Sequence, residues 1–394
     1  MTRRTVDEQI SKVTALLQPI GAQPAERVPL REALGRLLAT DVVAPIDLPL
    51  FRNSQMDGFA VHAVDLGAIP ATLPIVGTIA AGDTGATPLP PRSAVRIMTG
   101  APLPDGADCV VPVEDTAVDG EKVTIHRRRT AGEFVREPGS DVAAGANLVD
   151  ANTLLRVRHL AALAAVGIQT VDVRRRLRVA VITTGNELIP AGEPLRPGQI
   201  YDSNGLALAA SVAANGAEVV SVGHSSDDPA EFLVVLTAAA AAADLVLTSG
   251  GVSMGDFEVV KETLQPRGGD FAHVAMQPGG PQGISNFDGV PVLSLPGNPV
   301  STLVSFEIFL RPFLRAAAGL AARKTCELPT QRRITSIPGR RQFLRGRTTD
   351  LGVEQVSGPG SHLVAAMVTA DVLIDIGEDT VEIPAGECVR VLQL

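Results

Sequence analysis

Four short stretches gather the residues best suited to chemistry. They are Thr184-Gly185-Asn186-Glu187, Asp227-Asp228-Pro229, Ser249-Gly250-Gly251-Val252-Ser253 and Pro296-Gly297-Asn298-Pro299. Glycine lets backbone amides come close to an anion, and amides at a turn or helix start are ready phosphate donors. Carboxylates accompany the turns: Glu187, Asp227, Asp228, Asp256 and Glu258. Oxygen ligands of this kind suit Mg2+, which commonly takes one or two carboxylates and fills its shell with ligand oxygens. Any single turn is equally well a tight connection, and any single acid a solvated loop residue. Asp228 before Pro229 reads as a helix cap. Together the four favour a nucleotide-like or pterin-like anion, although none matches a P-loop or a GxGxxG fingerprint.

Elsewhere the signals are weaker. Residues 54–61 (SQMDGFAV) put Asp57 on a Gly turn, which turn chemistry alone explains. Residues 136–141 (REPGSD) end in Asp141. The six histidines show no metal-ligand spacing, and no GxSxG elbow or triad stands out. The arginine runs 127–129 and 174–176 read first as solvated strand flanks and second as faces for an anionic ligand.

The turns need strands and helices to place them. From Arg178 onward, apolar strands at 178–183, 218–222, 244–248 and 292–295 alternate with helical stretches at about 206–215, 229–242 and 300–314. That alternation predicts a parallel sheet with helices on both faces. The Gly-rich turns then fall at the C-terminal ends of strands, where open α/β sheets bind ligands. Before this region, helices are expected near 5–17 (Thr5 and Glu8 have capping-box spacing) and 30–40. Short β-branched runs at 73–79, 94–98, 109–113 and 122–126 suggest an all-β module, and 142–170 returns to a Leu/Ala helical texture. The tail from 326 offers strands at 353–356, 372–376 and 389–392.

The 394 residues allow two to four domains, and 45% hydrophobic with 20% charged residues is ordinary for a soluble globular protein. A net charge of −9 argues against a general nucleic-acid binder but permits a locally positive site. Three separated cysteines indicate neither a disulfide framework nor a zinc ribbon, so a reducing cytoplasm is expected. No signal peptide or membrane span is read.

With these residues in view, the chain resembles the MoeA family of molybdopterin molybdenumtransferases, related to the E domains of plant Cnx proteins and gephyrin. The matching stretches run in family order: 54–61, 96–104 (RIMTGAPLP), 106–111 (GADCVV), 139–141, 181–188 (VITTGNEL), 198–204 (GQIYDSN), 249–255 (SGGVSMG), 295–301 (LPGNPVS), 343–346 (FLRG) and 360–362 (GSH). The resemblance implies a multidomain α/β and β protein. Residues 1–44 and 142–175 would form a split, elongated helical dimerisation domain, and 45–141 an inserted β domain. Residues 176–324 would be the molybdopterin-binding three-layer α/β domain and 325–394 a C-terminal β-barrel.

It also implies insertion of molybdenum from molybdate into adenylylated molybdopterin, with release of AMP and a requirement for Mg2+. In an elongated homodimer, Asp57, Thr99 and Asp141 would act in trans on a site built by Glu187 and Asp227. The metal ligands would come from Glu187, Asp227, Glu258 and Asp141. The pterin and oxyanion would be held by Thr184, Gly185, Ser249, Gly250, Gly251, Ser253, His273, Gln277, Pro296, Gly297, Asn298, Pro299, Arg345 and Ser361. This chain carries Glu258 where the family usually has Asp. It has His273, Gln277 and Gly280 where lysines are common. A molybdopterin adenylyltransferase and a molybdoenzyme are the implied partners. The competing readings are a non-catalytic scaffold and an adenylyltransferase.

Overall fold

The computed structural model describes residues 2–83, 88–253 and 258–394, so Asp256 and the end of the 249–255 stretch lie outside the described residues. The chain forms two compact units, Met1–Glu26 with Arg174–Leu394, and Arg27–Val173.

In the first unit the sheet strands are β1 (Thr2–Arg4), β2 (Arg178–Thr184), β3 (Glu218–Ser225), β4 (Leu245–Ser249), β5 (Asp270–Val274), β6 (Pro281–Phe287) and β7 (Val290–Leu295). The helices around them are α1 (Val6–Leu17), α2 (Asn204–Ala214), α3 (Pro229–Ala242), α4 (Val259–Leu264) and α5 (Pro299–Ser305). The sheet runs β1-β5-β6-β7-β4-β2-β3. Strands β7, β4, β2 and β3 are parallel, while β5, β6 and β7 are joined antiparallel, so the sheet is parallel-rich and mixed. Side chains alternate across a strand. On β2, Val179 and Val181 enter a core with Leu208 and Val212, and Ala180 and Ile182 enter another with Phe232 and Leu236. Burial on both faces explains the continuous apolar run of 179–182.

The opening helix forms with its capping box: Glu8 N–H donates to Thr5 Oγ1 at 3.2 Å and Thr5 N–H to Glu8 Oε2 at 2.8 Å. Its placement differs from the expected split domain. Val6, Val13 and Leu17 enter the α/β core and β1 pairs with β5, so this segment belongs to the first unit. An amphipathic pattern fixes which face is buried, not against what. After α5 the helix passes through a π turn at Phe306–Leu310 before Arg311–Ala317. Pro312 follows that turn and lacks the N–H that a regular helix would use there.

The C-terminal strands Thr325–Pro329, Arg341–Thr349, Gly352–Gln355, Val372–Ile376 and Cys388–Gln393 form one antiparallel sheet. A bridge from Thr330 to Val353 closes it into a ring. The long strand Arg341–Thr349 is hidden in sequence by its arginines. One of them, Arg345, is buried.

The second unit holds a six-stranded sheet in the order Cys109–Pro112, Gly58–Val61, Ala94–Ile97, Ala71–Ile79, Lys122–Ile125, Thr116–Asp119. This is the expected β module. The helix expected over 30–40 is only a 3-10 turn, Leu30–Glu32. Gly35 takes φ +71° and the chain then bridges Leu37 to Leu154 and Leu38 to Val173. Of 142–170, only Val157–Ala165 is helical. Leucine-rich texture alone does not separate helix from short paired strands.

Candidate functional site

A cavity of about 810 Å³ opens at the C-terminal ends of β2, β4 and β7 in the first unit. Its frame is a set of buried and part-buried hydrogen bonds. Asp202 accepts from Thr183 Oγ1 at 2.7 Å and from the amides of Asn204 and Gly205 at 3.0 Å, which fixes the start of α2. Asn204 then donates through Nδ2 to Ser249 Oγ at 2.9 Å and to the Gly297 carbonyl at 2.7 Å. Thr302 Oγ1 donates to the Pro296 carbonyl at 2.6 Å. The turns after β2, β4 and β7 are thereby tied into one wall.

One glycine is forced by close approach and another by its backbone conformation. Gly250 has φ +101°, and a Cβ there would stand 2.7 Å from Thr184 Oγ1. Gly185 has φ +141°, and a Cβ there would meet the Glu187 carboxylate at 2.6 Å. Glu187 therefore folds back over its own turn. Thr184 Oγ1 is buried without a hydrogen-bond partner on the cavity wall. An orphaned buried hydroxyl is costly unless something else satisfies it, and a ligand oxygen would do so.

Most expected ligand residues of the first unit line this cavity: Thr184, Gly185, Ser249, Gly250, Gly251, Ser253, His273, Gln277, Pro296, Gly297, Asn298, Pro299 and Ser361. Glu187, Asp227 and Glu258 line it too. Asp227 Oδ2 accepts the Asn186 amide at 3.2 Å, and Glu258 Oε2 accepts the Ser253 amide at 2.6 Å. Among the described residues no three His, Cys, Asp or Glu side chains gather as a ready metal cage. Glu187 and Asp227 on one wall fit the smaller demand of Mg2+, one or two carboxylates completed by ligand oxygens. His273 holds Nδ1 3.1 Å from the Val274 carbonyl. Asp228 caps α3, accepting the Ala230 amide at 2.7 Å, as its place before Pro229 suggested.

Arg345 is not on the cavity wall. It is 1% exposed, donates to Ser357 Oγ at 2.8 Å and to the Gly358 carbonyl, and burial pulls its pKa down. Arg340 lines the cavity instead. Arg340, Asp202 and Asn204 are the site residues that sequence reasoning missed. The last two lay inside the quoted 198–204 stretch, and Arg340 lies five positions before Arg345.

In the second unit, Thr99 donates to Asp57 Oδ1 through both its amide and its hydroxyl, each at 2.7 Å. The amide bond, then the hydroxyl bond, holds the exposed Asp57 carboxyl below its ordinary pKa. The pair is a unit that sequence spacing did not reveal. Asp141 is exposed on a loop whose amide donates to the Leu48 carbonyl at 2.9 Å. The arginine runs are partly structural: Arg129 pairs with Asp115 and Glu133, and Arg175 pairs with Asp244.

Three family models match the chain: the MoeA N-terminal region (domain I and II) over residues 4–167, a probable molybdopterin binding domain over 180–316, and the MoeA C-terminal region (domain IV) over 327–394. A Mycobacterium tuberculosis (strain H37Rv) protein named molybdopterin molybdenumtransferase 2 is 44% identical over 384 residues, 93% of this chain and 94% of its own. The Haemophilus influenzae molybdopterin molybdenumtransferase is 34% identical over 400 residues, 98% of each chain. A crystal structure of a molybdopterin biosynthesis MoeA protein from Pyrococcus horikoshii superposes with a TM-score of 0.83 at 33% identity, covering 98% of each chain. Matched from end to end by models and relatives of one kind, the chain belongs to the MoeA family.

Proposed function

We propose that this chain is a molybdopterin molybdenumtransferase: it takes adenylylated molybdopterin and molybdate, breaks the pyrophosphate bond, releases AMP and leaves molybdenum on the pterin dithiolene. The observation that carries the reading is the orphaned Thr184 hydroxyl on a glycine-lined wall that also bears Glu187, Asp227 and Arg340. Amides around Gly250 and Gly297, with Thr184, suit phosphate oxygens. Arg340 offers the cation that an oxyanion needs, from a planar guanidinium with several N–H donors. Glu187 would hold the metal and help orient a water.

Glu187 and Asp227 would hold Mg2+. The ion would neutralise charge on the breaking pyrophosphate. In this reading Asp57, Thr99 and Asp141 act in trans within a homodimer. The setting is a reducing cytoplasm, in keeping with free Cys109, Cys326 and Cys388, and the partners are an adenylyltransferase upstream and molybdoenzymes downstream. Among the described residues no helix is long and apolar enough to cross a membrane. The adenylyltransferase alternative is disfavoured because the family match extends well beyond the α/β domain.

The test is reconstitution. Purified protein with Mg2+, molybdate and adenylylated molybdopterin is expected to activate an apo-molybdoenzyme in proportion to molybdate. Tight pterin binding with no activation at any molybdate concentration would leave only the scaffold reading.

A further inference from the structure

Arg340 lines the cavity from a turn whose two neighbours are anchored very differently. On its C-terminal side, Arg341 donates its amide to the Ala275 carbonyl at 2.9 Å. The Arg341 guanidinium grips both oxygens of Asp375 at 2.7 Å, and that carboxylate is only 4% exposed. On its N-terminal side is Gly339, at φ +78°. Its amide donates to the Glu378 carbonyl at 2.7 Å, and its carbonyl accepts from Arg3 Nη2 at 2.7 Å. Glycine has no Cβ to limit rotation, so a peptide beginning at glycine keeps its orientation only if its polar groups are held. That peptide leads directly into Arg340.

Arg3 reaches it because β1 runs parallel to β5, with Arg3 in register with His273, a cavity residue. We propose that Arg3 is a positioning residue for the anion contact: by holding the Gly339 carbonyl it fixes the direction in which Arg340 enters the cavity. The inference rests on the reading of Arg340 as an oxyanion contact. Asp7 gives the contrast. It touches Arg341 at 3.1 Å, but it is 83% exposed and the buried Asp375 already holds that guanidinium. That exposed pair adds little to the buried one, whereas the Arg3–Gly339 bond, also exposed, bears on the direction of Arg340 rather than on stability.

The experiment is steady-state AMP release by the full-length protein, titrated with molybdate, alongside a melting curve for each variant. Arg340→Ala is expected to raise KM for molybdate about tenfold or more, the scale of one lost charge-assisted contact. Arg3→Ala is expected to raise it roughly threefold to tenfold, because the contact is misdirected rather than removed. It should leave kcat within about twofold and the melting point at that of Asp7→Ala. Asp7→Ala should keep the wild-type KM. Arg3→Lys should recover most of the loss, since an ammonium can still donate to one carbonyl.

If Arg340→Ala raises KM and Arg3→Ala does not, the positioning role is overturned. If Arg340→Ala itself keeps the wild-type KM, the anion contact beneath the proposal is wrong and the proposal falls with it. If the wild type shows no molybdate-dependent turnover, the functional reading fails. Calorimetric molybdate affinities of the same four variants then decide the positioning claim by the same rank order.

Discussion

At the scale of the residue, the site depends on side chains that occupy the space a neighbour has given up. Gly185 is the clearest case: its missing Cβ leaves room for the Glu187 carboxylate, 2.6 Å from where a methyl would stand. Gly185→Ala should therefore displace Glu187 while leaving the sheet beneath it intact. Gly185 also takes φ +141°, where alanine is strained, so we expect AMP release to fall about 100-fold, the scale of an ångström-sized misplacement, together with a lower melting temperature. Unchanged kinetics in that variant would show that Glu187 has no part in the reaction. Much of this was legible: Thr184-Gly185-Asn186-Glu187 named itself by residue type. Arg340 was not. A motif marks a stretch of chain, but which of its arginines enters the cavity depends on a turn held by Arg3 and Glu378, far away in sequence. Asp57 and Thr99 were named through the family resemblance, but the hydrogen bonds that join them were not legible in the spacing.

At the scale of the element, one device holds the wall of the cavity and another ties the opposite end of the sheet. The first is Asn204 at the start of α2. Asn204→Ala removes a donor from the buried Ser249 hydroxyl, which keeps Pro296 and Thr302 as partners, and from the exposed Gly297 carbonyl. A loss of about 1–3 kcal/mol in chemical denaturation is expected, with weaker pterin binding. The second is Asp244, which ties the start of β2 to the start of β4. Burial acts to raise the Asp244 pKa, but bonds from Arg175 and Arg178 outweigh it and leave the carboxyl below its ordinary range. A carboxyl depressed in the folded state stabilises above its unfolded pKa, about 4, and loses that contribution as pH falls through the folded value. Asp244→Asn should thus cost roughly 1–2 kcal/mol at pH 7, and the gap to wild type should close below about pH 4. A gap that stays constant with pH would mean the charge contributes nothing. The elements themselves were largely readable. The apolar runs of β2 and β4 and the alternation with helices gave the sheet, and the Thr5–Glu8 spacing gave α1. What periodicity could not supply was the partner of α1, which packs into the α/β core, or the bridges that replace the helix expected over 30–40.

At the scale of the whole molecule, two groups of residues are proposed for one reaction: Glu187, Asp227 and the strand-end turns in one unit, and Asp57, Thr99 and Asp141 in the other. If these act across a homodimer, two inactive proteins should rescue one another. A mixture of Asp57→Ala and Glu187→Ala subunits, unfolded and reassembled together, is expected to regain about a quarter of wild-type turnover, from statistical pairing of subunits. No recovery in a mixture shown to contain heterodimers would put both groups in a single subunit. More basic still is whether this cavity cleaves the pyrophosphate of adenylylated molybdopterin when molybdate is present. The most direct measurement is AMP release by wild type and Glu187→Ala with and without molybdate. Molybdate-dependent release by wild type, lost in the variant, is the expected result. Equal release by the two proteins, or release indifferent to molybdate, would contradict it.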